Sequence, residues 1–278
     1  KFVEKWGNKL PLDLKPKFPL VEEIKEKELK NIGKVAVIIP TKGKVDMLFN
    51  CVNSLYEHCN PNSFEVFIAD TGSSSEEKEW IKNNILTLGK VNLIEYDYYN
   101  FAKINNDVVK NHINNDFDFL LFCNNDIKIL NNVIYEMLSI FKQKSNVGTV
   151  GARLHYEDNT IQHNGIVLFL DKEKQVQISH LGLKCYYNFN RDTIETIGNT
   201  AALMMIRKNI FTKCGMFNEN YINCFEDVEL NFQCISYNLK NYVSGKSVAY
   251  HYESQTRDES SSKISEVVTD YRERLFPY

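Results

Sequence analysis

The stretch that most constrains the fold is an almost wholly apolar run from Phe117 to Cys123, which ends abruptly in Asn124-Asn125-Asp126. Such a run is typical of a strand buried on both faces of a largely parallel sheet. Open α/β sheets bind ligands outside the carboxyl ends of their strands, so these polar groups are predicted to face a ligand site. The Asp126 carboxylate is a hard oxygen ligand that suits a divalent cation beside a phosphate. By itself, the tripeptide is more often a turn after a core strand.

Three further apolar runs precede this one, and each is followed by a stretch with the apolar spacing of a helix. The predicted strands are 35–39, 64–69 and 91–96, and the predicted helices are 46–59, 76–86 and 103–114. Strands that alternate with helices form parallel sheets through right-handed crossovers, so the fold class is predicted as α/β.

Beyond a helix near residues 131–143 the pattern changes. Two strand-like runs, 147–156 and 161–170, flank a polar turn and are predicted to pair as a hairpin. Residues 171–197 are polar and without a pattern, which predicts a functional flap or binding loop. The second half is completed by a strand over 201–206, a helix over 226–237 and a strand over 242–250.

The composition is that of an ordinary globular protein, with 278 residues of which 43 % are hydrophobic. Because 33 Lys+Arg are balanced by 36 Asp+Glu, the chain has no basic excess that would favour a nucleic acid as partner. The seven cysteines form no CxxC pair and predict reduced core thiols rather than a disulfide or zinc framework. No apolar run approaches the roughly 20 residues that cross a bilayer. With no secretory signal either, we expect a soluble, cytoplasmic protein without a transmembrane segment.

Residues 1–33 differ from the rest of the chain, because they carry three of the six prolines and then a charged run from Glu22 to Glu28. We interpret them as a partly helical extension or linker from a longer polypeptide, which agrees with Lys1 as the first residue. A solvated helix explains the charged run more simply than a surface for partner docking.

Polar residues follow the apolar runs of the first half. Thr41 and Asp70 end the first two predicted strands. In sheets of this kind, an Asp at the end of the second strand commonly contacts the ribose or base of a nucleotide. A helix cap or turn is the other explanation of Asp70. Asn105 and Asn106, with Lys103 beside them, are predicted to begin the third helix, either facing the nucleotide or as the polar start of a surface helix.

Two positions in the second half could carry chemistry. Glu226 and Asp227 stand at a predicted helix start, where the helix dipole favours their ionised form and one of them could act as a general base. An acidic first turn without a function is the alternative. His251 closes an apolar strand and is either a metal ligand or a satisfied core group.

Eight short motifs occur here in the order found in inverting family-2 glycosyltransferases of the GT-A fold. They are VAVIIPTKG, FIADTGSS, YNFAKINN, LLFCNNDI, TIQHNGIVLFL, GNTAALMMIRK, FEDVEL and HYESQTR. No single motif is specific, but the eight in register are, and they cover the chain from about Val35 to Arg257. The chain resembles most the bacterial branch that often forms a module of large proteins building O-antigen or capsule chains.

The resemblance implies one glycosyltransferase domain over residues 34–278. Its first half, 34–150, would be a Rossmann-like donor half with a mostly parallel central sheet. Its second half, 151–257, would be an acceptor half with mixed strands, followed by a tail over 258–278.

The resemblance also implies roles for individual residues. Asp126 occupies the DxD motif, whose first Asp is replaced by Asn124, and His251 matches a further ligand of a Mn²⁺ or Mg²⁺ cofactor. Asp227 matches the catalytic base, with Glu226 as its fallback. The residues implied to contact the donor nucleotide are Pro40, Thr41, Asp70, Lys103, Asn106, Asn124 and Asn125. Those implied to lie beside the acceptor are Gly198, Asn199 and Thr200.

Three positions depart from this pattern or stay without a role. Lys103 stands where the branch more often has a small residue, and Asn199-Thr200 differs in detail from the TGAC segment. The segment 162–165 matches QHAG, for which the residues alone suggest no role.

The implied activity is metal-dependent transfer of a sugar, with inversion, from a UDP- or dTDP-linked donor to a hydroxyl of a growing bacterial surface glycan. The acceptor would be a glycan or lipid-linked glycan, reached at the inner face of the membrane through further domains or partners. A catalytically inactive carbohydrate-binding or scaffold module is the main alternative. A sugar-phosphate nucleotidyltransferase is less consistent, because Thr41-Lys42-Gly43 leads directly into a helix without a longer Gly-rich phosphate loop.

Overall fold

The computed structural model describes residues 32–174, 176–184, 192–221 and 224–252. The predicted tail over 258–278 lies outside these ranges, as does the predicted extension apart from its last two residues. The strands are β1 Lys34–Thr41, β2 Phe64–Asp70, β3 Val91–Glu95, β4 Phe117–Cys123, β5 Ile127–Ile129, β6 Val147–His155, β7 Ile161–His163, β8 Ile166–Leu170, β9 Val176–His180, β10 Thr193–Thr196, β11 Leu203–Arg207 and β12 Lys240–His251. The helices are α1 Val45–His58, α2 Ser75–Asn84, α3 Phe101–Asn111, α4 Val133–Gln143, α5 Lys208–Lys213 and α6 Glu226–Ser236.

One large sheet forms the centre of the described structure, in the order β10-β12-β6-β11-β4-β1-β2-β3. Strands β1 to β4 are parallel, which confirms the predicted parallel arrangement of the first half. Strand β11 runs antiparallel to both β4 and β6, and β12 returns parallel to β6. The sheet is therefore mostly parallel, with its mixed strands in the second half of the chain as predicted.

The apolar run of β1 explains why this sheet is covered on both faces. Val35, Val37 and Ile39 belong to one buried cluster together with residues of α1, α2 and α4. Ala36 and Ile38 alternate into a second buried cluster, which contains residues of α3, α5 and α6. Because successive side chains of a strand point to opposite faces, a strand with no polar position requires helices on both sides.

The third helix begins earlier than the sequence predicts. It starts at Phe101, and the Asn100 side chain caps it by accepting a hydrogen bond from the backbone N–H of Lys103, at 2.8 Å. Asn105 and Asn106 therefore lie inside the helix rather than at its start, and both are buried. Asn100, Asn105 and Asn106 follow one another within seven residues of the sequence, and Asn is a common capping residue. The prediction therefore did not identify Asn100 as the cap.

Residues 171–197 are not a patternless loop in the parts that the structure describes. Strand β9 pairs with β8 in a separate antiparallel hairpin, and β10 adds to the edge of the main sheet beside β12. The predicted run over 161–170 is likewise divided, since β7 pairs with β6 whereas β8 pairs with β9. Short, polar strands carry too little alternation to be distinguished from a loop by pattern alone.

Six of the seven cysteines lie in the described ranges, and none of these six forms a disulfide there. Within the same ranges, no helix combines the length and the apolar character needed to cross a membrane.

Candidate functional site

The carboxyl ends of β1, β2 and β3 meet at one edge of the sheet. Thr41 pairs with Asp70, and Asp70 pairs with Glu95, so the three side chains end neighbouring strands. The backbone N–H of Thr71 donates to the carbonyl of Thr41, at 2.8 Å, and continues the pairing past the strand end. This confirms that the first two predicted polar strand ends lie together.

Asp70 is buried, with 1 % of its surface exposed. One carboxylate oxygen accepts from both the backbone N–H and the hydroxyl of Ser73, and the other lies 3.8 Å from the ammonium of Lys78. The turn after β2 therefore fixes the Asp70 carboxylate before any ligand binds. Its role toward a nucleotide stays a prediction.

The segment between β4 and β5 contains the tripeptide that follows the central strand. The Asn125 amide donates to the Thr41 hydroxyl at 2.9 Å, so this segment is joined to the end of β1. The backbone N–H of Asn124 donates to the carbonyl of Ala202, at 2.9 Å. The end of β4 is therefore joined to the end of β1 and to the start of β11 at this edge of the sheet.

Asp126 and His251 lie next to each other, although 124 residues separate them in the chain. Strand β5 pairs with β12 so that Ile127 lies opposite His251, and the N–H of Tyr252 donates to the Asp126 carbonyl at 3.0 Å. This pairing puts Oδ1 of Asp126 3.2 Å from Nε2 of His251. Both side chains are buried.

The hydrogen-bonding pattern around this pair fits a divalent cation. Nδ1 of His251 lies 2.5 Å from Oε1 of Gln162, an acceptor, so that ring nitrogen carries the hydrogen. In the neutral ring, Nε2 then presents a lone pair toward Asp126, whose buried Oδ1 has no hydrogen-bond donor among the described residues. Two acceptors at 3.2 Å repel each other unless a metal cation, or a proton on Nε2, lies between them. Octahedral Mg²⁺ ligands at about 2.0–2.1 Å lie about 3 Å from their neighbours, so the spacing agrees.

Asn124 contacts the same ring nitrogen of His251 that faces Asp126. Its Nδ2 atom lies 3.4 Å from Nε2 of the ring, and the residue is half-buried. The described residues contain no cluster of three or more His, Cys, Asp or Glu side chains that could hold a metal ion. Among the described residues, Asp126 and His251 would therefore be the ligands, and phosphate or water could supply further ones.

Asp227 lies in the first turn of α6 and is half-buried. One oxygen accepts from the backbone N–H of Ala201 at 2.9 Å, and the other accepts from the N–H of Val228 at 2.7 Å. Each carboxylate oxygen keeps a second lone pair for another partner. Glu226, by contrast, is buried.

Two hydrogen bonds link Asp227 to Asn124, which contacts His251. Ala201, which holds Asp227, precedes Ala202, whose carbonyl accepts from the backbone of Asn124. Phe225, the residue before α6, has a left-handed backbone with φ 70°. A non-glycine residue in this conformation costs about 1–3 kcal/mol, and such residues concentrate at functional sites. The base predicted from the sequence and the pair Asp126–His251 thus border the same edge of the sheet.

The predicted acceptor segment is more buried than expected. Asn199 is fully buried, and its amide donates to the Thr149 hydroxyl and to the Tyr242 carbonyl, both at 2.9 Å. Asn231 on α6 donates to the carbonyls of Asn199 and Asp227, at 2.8 and 2.7 Å. The Asn199 side chain therefore belongs to a buried amide network that fixes the start of α6.

The residues on either side of Asn199 differ in exposure. Gly198 is buried, and a Cβ atom there would lie 2.6 Å from Cγ of Asn231, so this position needs glycine for close packing. Thr200 is half-buried. For all three, contact with the acceptor stays a prediction.

We expect Asn231→Ala to lower the free energy of unfolding by about 2–4 kcal/mol, because it leaves buried partners unsatisfied and opens a cavity. Urea denaturation measures this change. Asn83→Ala, at an exposed position of α2, is the matched control and should stay within about 0.5 kcal/mol of the wild type. An Asn231→Ala protein as stable as the control would contradict the structural role of the network.

Two predicted donor residues have other partners. Lys103 is exposed, and its ammonium lies over the Tyr98 ring at 4.6 Å. Asn106 is buried, and its amide group exchanges hydrogen bonds with the backbone of Phe217 and donates to the Glu219 carboxylate. These contacts tie α3 to the segment after α5. Pro40 is half-buried next to Thr41, and none of the three residues contacts the pair Asp126–His251 by a described hydrogen bond.

The sequence analysis did not identify Gln162 as a partner of His251, or Ala201 as a partner of Asp227. Gln162 was part of a motif match without a role, and only the pairing of β7 with β6 puts it beside β12. Ala201 acts through its backbone N–H, which no residue type can reveal.

The family model for glycosyl transferase family 2 matches residues 36–215. The chain is 26 % identical over 233 residues to the O-antigen biosynthesis protein RfbC of Myxococcus xanthus, covering 81 % of this chain and 18 % of that protein. It is also 26 % identical over 232 residues to the uncharacterized protein y4gI of Sinorhizobium fredii (strain NBRC 101917 / NGR234), covering 80 % of this chain and 25 % of that protein. The chain thus spans a quarter or less of the length of these relatives.

Two solved structures share the fold at low sequence identity. GalNAc-T7 with UDP, GalNAc and Mn²⁺ superimposes with a TM-score of 0.65 at 14 % identity, over 86 % of this chain and 50 % of that one. The mannosyltransferase PcManGT from Pyrobaculum calidifontis, in complex with GDP-Man and Mn²⁺, gives a TM-score of 0.62 at 12 % identity, over 88 % and 64 % of the two chains. Because the family model covers more than half of the sequence, and the architecture is that of GT-A glycosyltransferases, the chain belongs to glycosyl transferase family 2.

Proposed function

We propose that this chain transfers a sugar from a nucleotide diphosphate sugar to a hydroxyl of a bacterial surface glycan, with inversion at the anomeric carbon. The observation that carries the proposal is the contact between Asp126 and His251 at the carboxyl edge of the sheet, with Asp227 beside the same edge. A family-2 domain of this fold needs a place for the diphosphate and a base for the acceptor, and these residues supply both.

The residues at the ends of β1 and β2 would hold the nucleotide. Thr41 and Asp70 face the edge where open sheets bind ligands, and the Ser73 turn and Lys78 keep the Asp70 carboxylate in place. Asp126 and His251 would bind a divalent cation, Mn²⁺ or Mg²⁺, which neutralises the charge that develops on the leaving diphosphate. Mn²⁺ tolerates the imidazole nitrogen better.

Asp227 would remove the proton of the acceptor hydroxyl as that oxygen attacks the anomeric carbon from the face opposite the diphosphate. The proton moves to a carboxylate oxygen, whose backbone N–H partners, from Ala201 and Val228, hold it in one orientation. A single displacement of this kind inverts the anomeric configuration. General-base catalysis of this type typically contributes about 10²–10⁴ in rate.

The donor and acceptor follow from the relatives only at the level of chemical class. One structural neighbour was solved with UDP and the other with GDP-Man, each with Mn²⁺. We favour a UDP- or dTDP-linked sugar, consistent with the expectation from the motifs. The name of the Myxococcus relative supports an O-antigen-like glycan or a lipid-linked glycan as acceptor, within a longer polypeptide that carries further domains.

We expect one nucleotide among UDP, dTDP and GDP to raise the melting temperature of the protein strongly when Mn²⁺ is present, and much less with EDTA. A ligand at 100 times its Kd stabilises the folded state by about 2.7 kcal/mol. Thermal melts with each nucleotide measure this effect.

A radiolabelled sugar-transfer or donor-hydrolysis assay with the selected nucleotide sugar then tests the activity itself. Binding without any turnover would favour the inactive carbohydrate-binding module. Formation of a sugar nucleotide from a sugar phosphate and a nucleoside triphosphate would favour the nucleotidyltransferase.

A further inference from the structure

Gln162 on β7 makes two hydrogen bonds with the same histidine. Its Oε1 atom lies 2.5 Å from Nδ1 of His251, and its Nε2 atom donates to the His251 carbonyl at 3.4 Å. The Gln162 side chain is buried, with 5 % of the residue exposed. Strand β6 lies between β7 and β12 in the sheet, so Gln162 reaches across it to hold the end of β12.

The carbonyl contact fixes the orientation of the Gln162 amide. A carbonyl oxygen accepts only, so the atom of Gln162 that faces it is the NH₂ group. The amide oxygen must then face Nδ1 of His251, and it accepts the Nδ1 hydrogen. A neutral imidazole carries one hydrogen, so Nε2 presents its lone pair toward Oδ1 of Asp126, at 3.2 Å.

We propose that Gln162 is a positioning residue that holds His251 in the tautomer and ring orientation that bind a divalent cation through Nε2. The inference rests on the proposed function, because it concerns the same metal-binding pair. It assigns a role to the first residue of the 162–165 segment. Partners on the far nitrogen of a metal-binding histidine fix its tautomer, and their loss typically costs about 10–100-fold in metal affinity.

A merely structural role for Gln162 predicts a different pattern of variants. Gln162→Leu removes the acceptor for Nδ1 at similar volume, whereas Gln162→Glu keeps an acceptor there, loses the amide donor to the His251 carbonyl and adds a negative charge. If Gln162 acts on the tautomer, Gln162→Leu loses metal affinity and Gln162→Glu retains it. If Gln162 only stabilises the sheet, both variants lose stability and neither loses metal affinity selectively.

The experiment is a titration of each folded variant with Mn²⁺ alone, followed by the electron paramagnetic resonance signal of free Mn²⁺. We expect Gln162→Leu to bind about 10–100-fold more weakly than the wild type, and Gln162→Glu to bind within about threefold of it. Asn131→Leu is the matched control: Asn131 is also a buried amide, and it bonds the backbone of Lys246 and Val248 on β12, three or more residues before His251. This control should lose stability and keep its Mn²⁺ affinity.

The tautomer itself can be measured without any metal, which keeps the test independent of how well a variant folds. We expect the ¹⁵N spectrum of the metal-free wild type, recorded at a pH where the ring is neutral, to show His251 with its hydrogen on Nδ1. The His251→Gln spectrum assigns the resonance among the six histidines. A hydrogen on Nε2 of His251, or an unchanged Mn²⁺ affinity of Gln162→Leu, would overturn this inference but not the proposed metal site. A wild-type protein that binds no Mn²⁺ would overturn the proposed metal site and this inference together.

Discussion

Asp227→Asn is expected to lower kcat for sugar transfer by about 10²–10⁴ and to leave the affinity for the donor nucleotide nearly unchanged. The reason is that an amide cannot accept the proton of the acceptor hydroxyl, whereas the nucleotide is bound by other residues. The substitution also has a structural cost, because an amide oxygen replaces only one of the two acceptors that bond Ala201 and Val228. Steady-state kinetics and nucleotide calorimetry on the same folded sample measure the two effects separately.

Two variants on the same helix make this prediction specific. Glu229→Gln removes a carboxylate that bonds the Asn218 amide, and it should keep kcat near the wild-type value. Glu226→Gln tests the neighbouring acid, whose side chain is buried. If Glu226→Gln loses the activity and Asp227→Asn retains it, Glu226 is the base and the assignment of Asp227 is wrong.

Asp126→Ala is expected to abolish Mn²⁺-dependent binding of the donor nucleotide, with a loss of metal affinity of at least about 100-fold. Residues that merely orient a ligand already contribute about 10–100-fold, and Asp126 would be one of two ligands among the described residues. Calorimetric titration of the nucleotide with and without Mn²⁺ measures the loss. The melting temperature of the metal-free protein should change little or even rise, because the substitution removes a buried carboxylate oxygen that has no donor among the described residues.

The matched control for this substitution is Asp116→Ala. Asp116 is an exposed carboxylate immediately before β4, whereas Asp126 follows the same strand at its other end. The control should bind nucleotide and Mn²⁺ as the wild type does. Unchanged Mn²⁺ and nucleotide affinity in Asp126→Ala itself would contradict the metal-binding role.

The parallel half of the fold was predictable because its strands are continuous apolar runs. The run from Val35 to Ile39 has no polar position, and the structure buries every one of its side chains between two helical layers. The polar residues at the strand ends were predictable for a related reason, since Thr41, Asp70 and Asn125 interrupt apolar sequence at the edge where parallel strands end. A strand buried on both faces can therefore be recognised in the sequence, and the polar residues that follow it can be placed at the edge of the sheet.

The second half was less predictable because its contacts depend on pairing between distant and short strands. Strand β5 has three residues, too few to show any period, yet its pairing with β12 brings Asp126 to His251. A sequence also does not distinguish an accessible amide from one in a buried network, so the resemblance that implies Asn199 beside the acceptor could not show that its side chain is buried. The left-handed backbone of Phe225 has no signal either, because glycine or asparagine is the usual residue there.

The place of β12 in the sheet sets a minimum length for any recombinant fragment of this domain. The family model ends at residue 215, and a gene cut at that boundary would omit Asp227, His251 and the strand that joins β5, β6 and β10. Such a fragment would leave one side of β6 as an unpaired apolar edge, which invites aggregation. Expression trials should therefore extend at least to Tyr252, whose N–H closes the pairing at Asp126.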